Sequence, residues 1–514
     1  MHFLNIKKGL VALSFFIGGT FLCPSQVSVD ALSLDYGTYA VGFKHYMGID
    51  STRTYKRYMD FTSENIFREI PISIWYPAAN TADTGTTMTV LDYMQILKEE
   101  EEWEHLPNAF ILNWFYYPNT EENQKHLKEA VQARWGATAK EGTFPLVIYA
   151  PSNKASSIEN FALCEYLASH GIIVISSPSR GPETRPFEGG VKDMEAQARD
   201  LEFLVKESLK NKSVDQNAIA TMGFSSGGLS NVLAQIRNKK IRANVSLDGS
   251  IKYQYATLQK SPLYAANKIT VPFIHMAQKK IPEQVMKEDK IDASLNDEFK
   301  FYDELTQSEA YSLQFNNMTH SYFSTLGILF EPRDPRQDKT DAEIMESYKW
   351  ISVYTLNFLK AYLIDIKEAM DFIGRAPEKN GVPPGIISLQ SKKPIERVPS
   401  FEEFHEMAIG NSYSDLMQLY ASIKKNKPEF ALEQWKLNQL GLQLVFDSKK
   451  SKAGIAILEL AVGLYPESAN LFDSLAEAYL YIGDNKKAIK NFERSLEHNP
   501  ANQNAVHRLK ELKG

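Results

Sequence analysis

Residues 219–231 read IATMGFSSGGLSN, with Ser225 set between Gly223 and Gly227 directly after an apolar run. A serine flanked by glycines two positions away on either side is the pattern of a nucleophile elbow, a tight strand-to-helix turn that exposes the hydroxyl. The pattern alone arises by chance in a chain with 27 glycines. Its context is what gives it weight. ATMGF is strand-like and SSGGLSNVLAQIRNKK is helix-like, so the serine falls at the required junction. The glycines have a steric role there, because the turn is crowded and its backbone strained. The helix that opens after the serine points its first amides toward it, where a developing oxyanion would sit.

A serine is a poor nucleophile without a base, and in this arrangement an acid and then a histidine follow the serine in chain order. Of the ten histidines, His275 and His320 lie between Ser225 and the helical C-terminal part. His275 is embedded in the apolar run VPFIHMA, where packing in a core is the simpler reading. His320 lies in FNNMTHSYFS, just past a strand-like run, where a catalytic loop belongs. His405, His498 and His507 fall in the helical part. For the acid, Asp248 closes the strand-like RANVSLD before Gly249, although an Asp there can equally cap a turn. Glu283, after the following strand, is its rival. The acid would accept the imidazole's second N–H and stabilise the imidazolium.

The elements that must position these residues alternate. FPLVIYAP, IIVISSP, AIATMGF, RANVSLD, TVPFIHM and AYSLQF read as strands, separated by helical segments such as ENFALCEYLASHG. Alternation of this kind predicts an α/β fold with a doubly wound, mostly parallel sheet. Residues 86–141, with LKEEEEWEHL and NQKHLKEAVQARW, read as a helical insertion. The domain spans residues 31–370. Residues 371–400, rich in Pro, Gly and Lys, read as a linker. Residues 401–514 are helical throughout. Pro466 and Pro500 stand 34 residues apart, the tetratricopeptide period, and Phe472, Leu475, Ala476, Tyr479, Ala488 and Phe492 fit that repeat. Such repeats predict a surface for a protein partner.

The chain starts MHFLNIKKGLVALSFFIGGTFLC, with Lys7 and Lys8 ahead of an apolar run too short to span a membrane. This predicts a signal peptide over residues 1–30 and an exported, periplasmic or secreted protein. Cys23 after the apolar run raises a lipoprotein alternative, which the bulky Phe21 and Leu22 oppose. Cys164 reads as a small buried hydrophobe. A net charge of −6 and a pI of about 6.0 give no basic footprint for nucleic acid. No metal-ligand spacing or phosphate loop occurs, so no cofactor or metal is expected. The run Glu99 to Glu102 reads as a solvated helix face, and Arg180, after a strand end, as a candidate substrate contact.

Taken together, YAVGF, DSTRTY, PISIWYPA, FPLVIYAP, LASHGIIV and VDQNAIATMGFSSGG resemble the platelet-activating-factor acetylhydrolase and dienelactone-hydrolase-like branch of the α/β-hydrolases. The resemblance covers residues 31–363 apart from the insertion. It implies a serine esterase acting through an acyl-enzyme on a small-molecule or polymer ester, with Ser225 as nucleophile and His320 as base. It also implies Asp248 as acid in preference to Glu283, and an oxyanion hole from the N–H groups of Ser226 and Asn153. Pro151-Ser152-Asn153 stands where relatives carry His-Gly, a departure within the loop that supplies the second amide. An amidase or peptidase would use the same residues. A scaffold with an inactive hydrolase domain is the reading from another class, and the presence of all three polar residues opposes it.

Overall fold

The computed structural model describes residues 27–57, 64–80, 85–288, 290–395, 398–447 and 449–514. The expected signal peptide over residues 1–30, Cys23 included, lies outside the described residues apart from its last four positions. The chain forms two compact units, Met1–Ile395 and Glu396–Gly514.

Among the described residues the first unit is built on eleven strands. In chain order they are β1 (Ala40–Tyr55), β2 (Ile66–Ala78), β3 (Thr86–Thr89), β4 (Ala130–Trp135), β5 (Phe144–Ala150), β6 (Ile173–Ser176), β7 (Val214–Phe224), β8 (Ile241–Leu247), β9 (Phe273–Ala277), β10 (Ala310–Phe315) and β11 (Ile387–Lys392). Across the sheet they run β11-β10-β9-β8-β7-β5-β6-β2-β1-β4-β3. From β10 to β6 every neighbouring pair is parallel. Antiparallel pairs occur toward the two ends: β10 with β11, β2 with β6, β1 with β2 and β3 with β4. This is a mostly parallel α/β sheet, consistent with the α/β-hydrolase expectation.

Central parallel strands are covered on both faces, so they bury every residue. Every residue of β5, β6 and β9 is buried. The two faces take alternate side chains. Leu146 and Ile148 of β5 share a core with Leu201, Leu204, Val232 and Leu233 of helices Val191–Ser208 and Gly227–Arg237. Val147 and Tyr149 share the other with Leu163, Leu167, Tyr348 and Ile351 of helices Phe161–Ser169 and Asp341–Leu363. Cys164 is buried in this second core. Among the described residues no helix is long and apolar enough to cross a membrane.

Two expectations need correction. The insertion is not purely helical: it holds helix Val90–Glu100 and two shorter ones, but also β3 and β4, which extend the sheet. AVQARW mixes the helix formers Ala, Gln and Arg with the strand formers Val131 and Trp135, and Val131 and Ala133 are buried while Ala130 and Gln132 are exposed. Pairing with β1 decides between the two preferences. The stretch 371–400 is not a plain linker either. Helix Lys367–Gly374 runs into it, and Ile387–Lys392 pairs along its whole length with β10. The Pro383-Pro384-Gly385 turn that suggested a linker only reverses the chain before an edge strand.

The second unit is helical among its described residues: Phe401–Gly410, Leu416–Asn426, Gln434–Phe446, Ser451–Leu464, Ala469–Tyr481, Asn485–His498 and Gln503–Lys513. Pro466 and Pro500 each follow the end of a helix by two residues. Phe472, Leu475, Ala476, Tyr479, Ala488 and Phe492 are buried. Helices Gln434–Phe446 and Ser451–Leu464 cross closely where two glycines meet. A Cβ on Gly454 would lie 2.6 Å from Gly441 O, and one on Gly441 2.6 Å from Leu458 Cγ.

Candidate active site

β7 ends at Phe224 and helix Gly227–Arg237 starts two residues after Ser225, so Ser225 occupies the turn itself. Its φ is +53°, a conformation that is uncommon for residues other than glycine. The strain is held from both sides. Ser225 N–H donates to Leu247 O at 3.2 Å, and its carbonyl accepts from Ser250 N–H at 2.8 Å and Gly228 N–H at 3.0 Å. The glycines are sterically required. A Cβ on Gly227 would lie 2.2 Å from Ala150 O, and one on Gly223 2.5 Å from Asn231 Nδ2.

Asp248 follows β8 and His320 follows β10, so both stand at the C-terminal ends of parallel strands, as Ser225 does. In open α/β sheets this is the edge where ligands bind. His320 Nε2 lies 2.9 Å from Ser225 Oγ, and His320 Nδ1 lies 2.6 Å from Asp248 Oδ2. The other Asp248 oxygen accepts from Gln278 N–H at 2.9 Å, which fixes the carboxylate plane. Asp248 is 2% exposed, whereas the His320 side chain is 44% exposed, so the imidazole is reachable while its partner is dry. Phe224 packs against the imidazole with centroids 4.9 Å apart.

Burial by itself would lower the proton affinity of His320. The hydrogen bond and charge of Asp248, with Glu159 and Asp334 adding to them, outweigh it and raise the pKa above the ordinary value. Glu159 is a second carboxylate near the imidazole that the sequence did not single out. It is buried, which pushes its own pKa up against the pull of Ser152, Tyr149 and His320. It accepts from Ser152 Oγ, from Ser152 N–H at 2.9 Å and from Tyr149 OH at 3.1 Å. The loop after β5 is thereby tied down at Ser152. With the Ser152 amide engaged, Asn153 is the next residue with an amide to offer. Among the described residues neither the Asn153 nor the Ser226 N–H donates to another backbone or side-chain group. Asn153 is exposed on this loop and Ser226 sits at the helix start.

The alternatives fall elsewhere. His275 is fully buried in β9 with Nδ1 2.9 Å from Ser246 Oγ, and burial holds its pKa down at about 3. Glu283 is exposed at the start of helix Glu283–Glu288, and the imidazole Nδ1 is bonded to Asp248 instead. Two expectations are overturned. Arg180 is 2% exposed and takes protein partners; its Nη2 donates to Glu100 O at 2.6 Å, and its guanidinium lies over the Tyr55 ring. The run Glu99 to Glu102 is not a solvated face, because Glu100 and Glu102 are buried. Glu100 accepts from Ser156 Oγ at 2.5 Å and from Ser157 N–H at 3.0 Å, and burial pushes its pKa up to about 6. It therefore anchors the insertion to the far end of the loop that Glu159 holds. Among the described residues no three His, Cys, Asp or Glu side chains form a group that could hold a metal ion.

Glu159, Gln278 and Ser250 are the contributors that sequence reasoning missed. Gln278 and Ser250 act through backbone N–H groups, which leave no trace in residue type. Glu159 left a weak one, a lone acid in the otherwise uncharged run ASSIENFALC.

No family model matches this chain, and no curated protein does. Among solved structures it is similar to a ferulic acid esterase from Streptomyces cinnamoneus, with 17% identity, a TM-score of 0.47, and coverage of 69% of this chain and 97% of that one.

Proposed function

We propose that the chain is an exported serine hydrolase that cleaves carboxylic esters through Ser225, His320 and Asp248. The observation that carries this reading is the continuous hydrogen-bonded line from Ser225 Oγ (2.9 Å) through the imidazole to Asp248 (2.6 Å). In the first step Ser225 Oγ attacks the ester carbonyl carbon while His320 Nε2 takes the hydroxyl proton. Asp248 holds the Nδ1–H, which keeps Nε2 as the acceptor and stabilises the imidazolium. The oxyanion is received by the amides of Ser226, at the positive end of helix Gly227–Arg237, and of Asn153. Collapse breaks the C–O bond, and His320 returns the proton to the departing alcohol. Water, deprotonated by the same nitrogen, then releases the acid and frees Ser225.

The C-terminal helices form tetratricopeptide-like repeats in this proposal and serve a protein partner rather than the chemistry. The test of the enzymatic reading is covalent. A fluorophosphonate probe should label wild type at Ser225, found by mass spectrometry of the peptide. Ser225→Ala should abolish both labelling and 4-nitrophenyl acetate turnover while its circular dichroism stays native. Labelling that persists in Ser225→Ala would refute the assignment.

A further inference from the structure

Next to His320 a cleft of about 190 Å3 opens at the C-terminal ends of β8, β9 and β10. Residues after each of these strands line it: Ser250 and Tyr253 after β8, Gln278 to Pro282 after β9, and Thr319 with His320 after β10. Its position bears on the chemistry. The oxyanion amides proposed above come from residues that follow β5 and β7, whereas His320 follows β10. The proton that His320 Nε2 returns goes to the leaving oxygen, so the alcohol departs beside the imidazole, and this cleft borders that imidazole.

The lining also has a sign. Lys279, Lys280 and Arg336 border the cleft against one acid, Asp334. Asp334 turns one carboxylate oxygen onto its own loop, accepting from Arg336 N–H at 2.9 Å. The ammonium of Lys279 pairs with Asp338 at 2.6 Å and that of Lys280 with Asp297. Both of these carboxylates are more than 70% exposed. The Lys280 side chain is 60% exposed as well, and an exposed pair of that kind holds weakly, so its ammonium can turn to a ligand anion at little cost, whereas Lys279, 16% exposed, is held in the wall. A second feature marks the wall as built for a polar guest. Thr319 is 4% exposed, and its hydroxyl, like that of Tyr253, has no hydrogen-bond partner. Buried polar groups normally have one. The volume is enough for a small hydroxy acid or one sugar ring.

We infer that this cleft is the leaving-group site and that it selects an alcohol carrying an anionic group, held by Lys279, Lys280 and Arg336 and hydrogen-bonded by Thr319 and Tyr253. The inference rests on the esterase reading above. Cleavage leaves the acyl group on Ser225 Oγ and gives the alcohol its proton from His320, with the anionic group itself unchanged.

The test compares O-acetyl-lactate with its neutral amide, O-acetyl-lactamide, which share an acyl group and nearly a size. The 2-acetoxyethyl phosphate ester serves as a third substrate to separate phosphate from carboxylate. At low salt, wild type should show kcat/KM about tenfold or more higher for an anionic ester than for the amide, as for one charge-assisted contact. The ratio should fall toward one near 0.5 M salt, where the screening length drops to about 4 Å. Lys280→Gln combined with Arg336→Gln should also bring it toward one; if that protein fails to fold, Lys280→Gln alone, at an exposed side chain, should still lower it. A wild-type ratio of one or below, or a ratio that survives these substitutions, overturns the inference. If Ser225 is labelled and 4-nitrophenyl acetate is cleaved in that case, the esterase reading stands without it. If neither occurs, both fall.

Discussion

Replacing Asp248 by Asn tests the line of hydrogen bonds at its buried end. The substitution is nearly isosteric, and the backbone N–H of Gln278 decides which way the new amide faces. That N–H donates to one oxygen of Asp248 at 2.9 Å, while the other oxygen faces His320 Nδ1 at 2.6 Å. An asparagine must keep its single oxygen toward Gln278, since a fixed N–H cannot face an NH2 group. Its NH2 then faces Nδ1, which becomes an acceptor, and the ring's proton moves to Nε2. Nε2 can no longer take the proton of Ser225, and the imidazolium also loses its counter-charge. The expected fall in kcat is about 10³ to 10⁴, equivalent to about 4–5.5 kcal/mol at 1.36 kcal/mol per decade. The assay is 4-nitrophenyl acetate hydrolysis across pH, alongside the rate of fluorophosphonate labelling. Glu283→Gln, at an exposed site, should change kcat by less than about tenfold. The reasoning fails if Asp248→Asn, with its fold intact, loses less than tenfold, or if the two variants rank in the opposite order.

Three further outcomes follow. Because the folded pKa of His320 is raised and the neutral imidazole is the base, kcat/KM should fall as pH drops through a value above 6.5; Glu159→Gln, which removes one of the charges raising it, should move that limb to lower pH, and an unmoved limb would discount Glu159. Gly227→Ala places a Cβ 2.2 Å from Ala150 O, backbone against backbone, so denaturant unfolding should show a loss of about 2–4 kcal/mol and labelling of Ser225 should slow; a wild-type unfolding curve would show that the turn is looser than described. A chain ending at Ile395 should remain soluble and hydrolyse simple esters at near the full rate, whereas one ending at Arg375 loses β11, leaves β10 as a bare edge and should aggregate; size-exclusion chromatography separates the two cases.

The parts of this molecule that could be read from sequence are those whose function constrains residue type locally. Gly223 and Gly227 are glycines because backbone and side-chain atoms occupy the space their Cβ atoms would need, so the elbow is written in five consecutive letters. His320 and Asp248 stand out the same way, as polar residues just past apolar strands, and the structure brings both into hydrogen-bonding line with Ser225. What was missed shares a different property, in that it depends on partners distant in sequence. β11 pairs with β10 across about 70 residues, and its alternating ISLQSK is too short and too polar to stand out beside two prolines. AVQARW is a strand only because β1 and β3 flank it. The glutamates at 100 and 102 look solvated until Ser156, Ser157 and Tyr55 are brought onto them. The site inherits this asymmetry. Its reacting groups come from local motifs, while the carboxylates of Glu100 and Glu159 grip Ser152, Ser156 and Ser157 and thereby fix the loop carrying Asn153. That loop carries Pro151-Ser152-Asn153. The two buried glutamates give a physical reason why it holds its place: each anchors the backbone through a serine hydroxyl and an N–H, and the insertion supplies one of the anchors.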